Sequence, residues 1–201
     1  MKVVGVTGGV GSGKSVVMNI LKEEYGAEII LADLVAHDLM EPGGQNYEEI
    51  VKKFGTGILS HDGTINRQAL AACVFKNKEK LEILNGITHP NVRKEIFRRI
   101  DRIKAEGKAS FIAVEAALLI EHGLQKEFDA MWYVYVDEET RIHRLMAARG
   151  YTEEKCRDIM KKQLPEEVFL QECSTVIDNH LDLNETKKQV KKAVDEILSL
   201  Y

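Results

Sequence analysis

The chain has 201 residues, is 44% hydrophobic and 30% charged, and carries a formal net charge of −4. That length suits one large domain or one domain with an insertion, and the mild acidity argues against a broad nucleic-acid surface. No apolar run approaches the roughly 20 residues that span a bilayer; the longest, Phe111–Ile120, is interrupted by Glu115.

The first predicted element is a strand, "KVVGVT" (Lys2–Thr7), and four more apolar runs rich in β-branched or aromatic residues follow it. They are "AEIILA" (Ala27–Ala32), "SFIAVE" (Ser110–Glu115), "MWYVYV" (Met131–Val136) and "STVIDN" (Ser174–Asn179). Each is mostly apolar rather than alternating, as in parallel strands covered on both faces. Amphipathic helices are predicted between and after them. Val17, Ile20 and Leu21 share one side, Val92, Ile96, Ile100 and Ile103 another, and Val190, Val194, Ile197 and Leu198 a third. Strand and helix in alternation predict an α/β fold with a five-stranded parallel sheet flanked by helices.

Two stretches exceed a single crossover. The first, 34–109, holds the turn sequences "EPGG", "FGTG" and "HDGT" and is predicted to be an inserted helical domain. The second, 140–173, is polar, charged and helical, with a break at Gly150 and a helix capped by Thr152, and is expected to act as a lid. The remaining segments, 1–33, 110–139 and 174–201, make up the core. The N-terminus enters a strand without a secretory signal pattern. Cys73, Cys156 and Cys173 are scattered and outside any CxxC pair, so reduced thiols and a cytoplasmic location are expected, and no structural zinc.

Between the first strand and the first helix lies Gly8-Gly9-Val10-Gly11-Ser12-Gly13-Lys14-Ser15, followed by Val16. It matches the phosphate-binding pattern G-x-x-x-x-G-K-[ST] in its required strand–helix context. Glycines let backbone N–H groups turn inward around phosphate oxygens, and the helix start adds the positive end of its dipole. Lys14 is expected to reach the β- and γ-phosphates, and Ser15 to offer a hydroxyl to Mg²⁺. No Asn-Lys-x-Asp follows a strand, which argues against a guanine-reading switch; a small kinase fits better than a motor or transporter ATPase.

A kinase acceptor hydroxyl needs a carboxylate near its proton. Asp33 follows the second strand and is the candidate base, with helix capping as its alternative role. Glu115 and, less favoured, Asp137 end apolar strands as a magnesium-holding acid does, directly or through water. Arg141, Arg144, Arg149 and Arg157 cluster in the expected lid, and arginine's planar fork suits phosphate.

The ordered pieces "VTGGVGSGKS", "AD" (Ala32–Asp33), "EPG", "DGTINRQALAACVF" (Asp62–Phe75), "LNGITHPNV" (Leu84–Val92), "LLIE" (Leu118–Glu121) and "VIDN" (Val176–Asn179) resemble the dephospho-coenzyme A kinase family over nearly the whole chain. The resemblance implies a P-loop NTPase fold with an acceptor-binding helical domain and a lid. It also implies transfer of the ATP γ-phosphate, with Mg²⁺, to the ribose 3′-hydroxyl of dephospho-CoA, the last step of coenzyme A synthesis. By that resemblance Asp33 is the general base, Lys14 holds phosphate, and Arg144, with Arg141 close in register, steadies the transferring group. Arg149 joins Gly8–Val16 in the ATP set. Arg67, His89, Pro90 and Glu115 join Asp33 toward the acceptor, with Pro90 expected as the first residue of a helix and His89 as its alternative cap. The chain departs from the family at Leu31, Val16 and Ala117, where an aspartate, a threonine and a proline are common. ATP and dephospho-CoA are the expected partners, with neither nucleic acid nor membrane, and a monomer is expected. The rival readings are another P-loop nucleoside or nucleotide kinase, and a non-catalytic nucleotide-binding regulator.

Overall fold

The five apolar runs form the strands of one all-parallel sheet in the computed structural model, which describes residues 1–75, 77–116, 119–120 and 123–199. They are β1 (Val3–Thr7), β2 (Glu28–Leu31), β3 (Ile112–Glu115), β4 (Ala130–Tyr135) and β5 (Thr175–Asp178), in the order β2-β3-β1-β4-β5. Val6 of β1 lies opposite Glu115 of β3 and Trp132 of β4, so the carboxyl ends of the three central strands share one edge. Ala117, Leu118 and Glu121, which carry one of the departures and part of the "LLIE" resemblance, lie outside the described residues.

The helices are α1 (Lys14–Tyr25), α2 (Ala32–Met40), α3 (Gln45–Phe54), α4 (Arg67–Phe75), α5 (Lys78–Glu106), α6 (Glu138–Arg149), α7 (Glu153–Met160), α8 (Glu166–Glu172) and α9 (Leu183–Ser199). The chain divides into two compact units, one made of Met1–Ile30 with Ile103–Tyr201, the other of Leu31–Arg102. Among the described residues, no helix is long and apolar enough to cross a membrane.

In the first unit, β-branched and aromatic strand residues fill the core because a parallel sheet is covered on both faces. Val4, Val6, Ile112, Val114, Trp132, Val134 and Ile177 are all buried. Against them α1 buries Val17, Met18, Ile20 and Leu21, and α9 buries Val190, Ala193, Val194 and Ile197. Leu198, expected on the same face as Ile197, is instead 37% exposed. The segment 140–173 falls within this unit. Ile142 and Leu145 of α6 and Cys156 of α7 form a small buried cluster, against which Val10, Tyr151 and Met160 pack. Gly150 ends α6 in the left-handed region, and the Thr152 hydroxyl accepts the Lys155 N–H at 3.3 Å to start α7.

Asp137, weighed above as a magnesium-holding acid, has another occupation. Its Oδ1 accepts the Thr140 N–H at 2.9 Å as the N-cap of α6, and its Oδ2 pairs with His180 Nδ1. The Thr140 backbone N–H is the main cause that holds the Asp137 carboxyl down at about 2. Such a cap is worth about 1 kcal/mol, so its side chain has a structural reason to be acidic.

The second unit is built around Ile50, Ile58, Leu70, Val74 and Ile87, with Met40, Phe54, Leu59, Ile65 and Leu84 packed on them. The "HDGT" turn is closed by the Asp62 carboxylate, which accepts from both the N–H and the hydroxyl of Thr64. Pro90 corrects an expectation: it does not begin a helix but lies inside the 29-residue α5, so His89 is an interior helical residue and not a cap. An interior proline costs about 3 kcal/mol, since it donates no N–H and crowds the carbonyl four residues back. The helix continues because Ile87, Ile96 and Ile100 are buried, each worth about 1.5–3 kcal/mol. Side chains add hydrogen bonds along the same turns. The Thr88 hydroxyl donates to Leu84 O at 2.9 Å, and Asn91 Nδ2 donates to Ile87 O at 3.1 Å and to Asn46 Oδ1 at 2.7 Å.

Farther along α5, Glu95 accepts from Arg98 at 2.6 and 2.8 Å and from Arg99 at 2.9 Å, while Arg99 also donates to Asp38 on α2 at 2.8 Å. The Arg98 guanidinium, and then Arg99, pull the Glu95 carboxyl from 4.5 down to about 2 against the opposing effect of burial. A carboxyl whose pKa is lower folded than unfolded stabilises the fold fully above its unfolded pKa, and that contribution disappears as pH falls through the folded value. Glu95→Gln is therefore expected to lower the melting temperature at neutral pH and to flatten its acid decline between about pH 5 and pH 2. Thermal melts across that range test this; an acid branch parallel to the parent's refutes it.

Candidate active site

β1 ends at Thr7, and its continuation turns through Gly8–Gly13 before α1 starts at Lys14. Gly13 is the N-cap of α1 at φ +80°, in the left-handed region, where a side chain is strained. Space also demands glycine there, because a Cβ would lie 2.4 Å from Asn179 Nδ2.

Asn179 is the residue that sequence reasoning missed. It follows β5, is buried, and donates from Nδ2 to Ser12 O at 2.9 Å. Its N–H donates to Tyr135 O at 2.9 Å, its Oδ1 accepts from the Thr186 hydroxyl at 3.0 Å, and its carbonyl accepts from Arg144 at 2.9 Å. One residue thus joins four parts of the unit: its side chain ties the loop to the start of α9, and its backbone holds the end of β4 and an arginine of α6. The only local signal was an apolar strand ending in asparagine; the contact with the loop spans 167 residues.

The other side of the loop is held from α6 and the α7–α8 connection. Arg141 donates from Nε to Val10 O at 2.8 Å and from Nη2 to Gln163 Oε1 at 2.6 Å, and the Val10 N–H donates to the same Oε1 at 3.2 Å. The guanidinium lies so close over Gly9 that a Cβ there would come within 2.4 Å of Arg141 Nη2. Burial pushes the Arg141 pKa down, though an arginine stays protonated.

Inside the loop, Lys14 Nζ donates to Gly8 O at 2.9 Å and sits 3.6 Å from Glu115 Oε1 at the end of β3, with side chains only 14% and 19% exposed. Ser12 Oγ is buried and has no hydrogen-bond partner among the described residues. Ser15 is exposed in the first turn of α1. The first N–H groups of any α-helix lack intrahelical acceptors and carry the positive dipole end. Together with Lys14 they make a site suited to a chain of phosphates.

Gly8–Val16, Lys14, Glu115 and Arg144 therefore meet in the first unit. Glu115 is met by Lys14 rather than by a cluster of acids: no group of three or more metal-ligating side chains occurs among the described residues. Arg149 is exposed in the last turn of α6 with its guanidinium 5.9 Å from the centre of the Tyr151 ring. Arg157 is held by Glu138, Glu139 and Glu153.

Asp33, Arg67, His89 and Pro90 belong to the second unit. Asp33 is exposed in the first turn of α2 and is not its cap, since Leu31 holds that position without a side-chain bond. Arg67 is exposed at the first position of α4 behind Asn66, whose Oδ1 accepts the Gln68 and Ala69 N–H groups. His89 is half-buried and Pro90 exposed.

A protein-family model described as dephospho-CoA kinase matches residues 2–185. A dephospho-CoA kinase of Corynebacterium glutamicum is 40% identical over 196 residues, covering 98% of this chain and 97% of that one. Among solved structures, a Thermus thermophilus protein is similar with a TM-score of 0.83 and 29% identity, covering 97% of this chain and 96% of its own. The dephospho-CoA kinase of Campylobacter jejuni is similar with a TM-score of 0.73 and 26% identity, covering 98% and 97%.

Proposed function

The chain belongs to the dephospho-CoA kinase family, and from that premise we propose how its residues divide the work of phosphorylating dephospho-CoA with ATP, a step of coenzyme A biosynthesis. The observation that carries the reading is the phosphate loop with Lys14 turned to its inner wall, at the carboxyl edge of the sheet where open α/β folds bind ligands.

Gly8–Val16 form the cradle for the ATP phosphates, with donors from the loop and from the start of α1, and Lys14 meets the β- and γ-phosphates. Mg²⁺ fits the residues present. Ser15 offers an exposed hydroxyl beside the loop, and Glu115, held near a cation, offers a carboxylate, directly or through water. When bound, Mg²⁺ supplies charge neutralisation to the phosphates. Asp33 orients the ribose 3′-hydroxyl and accepts its proton, with Arg67, His89 and Pro90 on the acceptor side. Arg144, fixed through the Asn179 carbonyl, steadies the transferring phosphoryl group, and Arg149 contributes to ATP binding. Closure of 140–173 excludes water and so limits hydrolysis of ATP. Three free thiols at scattered positions suit a reducing cytoplasm.

The test is an ADP-coupled assay with Mg-ATP, run with dephospho-CoA, adenosine, AMP or no acceptor. ADP release is expected only with dephospho-CoA. Equal stimulation by AMP or adenosine would favour a nucleotide or nucleoside kinase, and slow hydrolysis indifferent to every acceptor would favour a regulator.

A further inference from the structure

We propose that Gln163, acting with Arg141, is a positioning residue that sets the tip of the phosphate loop before nucleotide arrives. The inference rests on the reading that this loop holds ATP, and goes beyond it by naming what shapes the loop.

Three hydrogen bonds close a ring around one residue, Val10. The Val10 N–H and Arg141 Nη2 both donate to Gln163 Oε1, at 3.2 and 2.6 Å, and Arg141 Nε donates back to Val10 O at 2.8 Å. Both backbone polar groups of Val10 are therefore held from outside the loop. The Val10 side chain is anchored in the same direction, on the cluster of Ile142, Leu145 and Cys156 with Met160. Gln163 is itself fixed, because its N–H donates to Met160 O at 3.0 Å. The guanidinium plane covers Gly9, which tolerates the approach only because it lacks a Cβ.

A glycine-rich loop loses more backbone freedom on ordering than any other sequence. If that ordering occurred during binding, it would subtract from ATP affinity; a loop ordered in advance avoids the loss. Holding Val10 by both of its backbone polar groups fixes the direction in which the chain enters the rest of the loop, where the Ser12 N–H turns back to Gly9 O at 3.2 Å. The amide of glutamine suits this place, because its oxygen accepts two N–H donors without bringing negative charge near an anionic ligand.

The effect expected is on ATP binding rather than chemistry. Gln163→Met keeps the length and removes the acceptor. It should raise the KM for ATP and the calorimetric Kd for a non-hydrolysable ATP analogue about tenfold, the scale of one lost hydrogen bond. The KM for dephospho-CoA and kcat should stay within about twofold. Because both side chains belong to one hydrogen-bond ring around Val10, Arg141→Met and the double variant should lose no more than about twofold beyond the single change. Hydrogen exchange of the unliganded parent provides a measurement that needs no variant: the Val10 amide should be protected. Failure of the parent to bind the analogue would overturn the ATP reading itself. With a parent that binds, an unchanged Kd in Gln163→Met, multiplying losses in the double variant, or an unprotected Val10 amide would each overturn the clasp alone.

Discussion

Asp33→Asn is expected to lower turnover about 100- to 10,000-fold, the range in which a positioned general base contributes, while leaving the affinity for Mg-ATP within about twofold. Asparagine copies the shape of aspartate but does not take a proton from a hydroxyl at neutral pH. Asp33 is exposed in the first turn of α2, where no cap bond or other described hydrogen bond occupies its carboxylate. The start of a helix favours a carboxylate there by about 0.3–1 kcal/mol. Losing that small term alters stability slightly and cannot account for a hundredfold loss of rate. Initial rates at saturating substrates, with calorimetric ATP binding alongside, separate the two effects. Near-parent turnover in Asp33→Asn removes the base from the mechanism; weakened ATP binding equal to the loss of rate would instead make it a binding residue.

The strands and the loop were legible because their signals are local. Mostly apolar runs rich in β-branched or aromatic residues located each strand within one or two residues, and Gly8–Ser15 needed only its own spacing and its strand–helix context. Strand order was not local: β3, which follows β2 by some eighty residues of chain, is inserted between β2 and β1. Pro90 misled for a physical reason. A missing N–H predicts a helix start, but buried isoleucines on both sides of the proline carry α5 through. Asp137 is ambiguous in the sequence because a cap and a metal ligand look alike at the end of a strand; in the fold its carboxylate caps α6. Gln163 had no local signal, Asn179 only its place at the end of an apolar strand, and Arg141 only its membership of an arginine cluster. Their importance lies in contacts with Ser12 and Val10 that only the folded first unit creates.

The remaining large effect is expected at Lys14, where activity and stability have to be separated. Lys14→Met should reduce kcat/KM for ATP about 100- to 1000-fold, the scale of one preorganised donor to developing charge. It also removes the ammonium from 3.6 Å beside Glu115, in a place where the two side chains are only 14% and 19% exposed. A carboxylate that loses such a partner while mostly buried costs about 1–3 kcal/mol, so part of any defect would come from the fold. Glu115→Gln in the Lys14→Met background removes the stranded charge. The double variant should recover melting temperature toward the parent while its kcat/KM stays as low as that of Lys14→Met. Two outcomes would count against the assignment. Recovery of activity together with stability would make Lys14 a structural partner of Glu115 rather than a phosphate ligand. A single variant with near-parent kcat/KM would show that the start of α1 and its backbone amides hold the phosphates without the lysine.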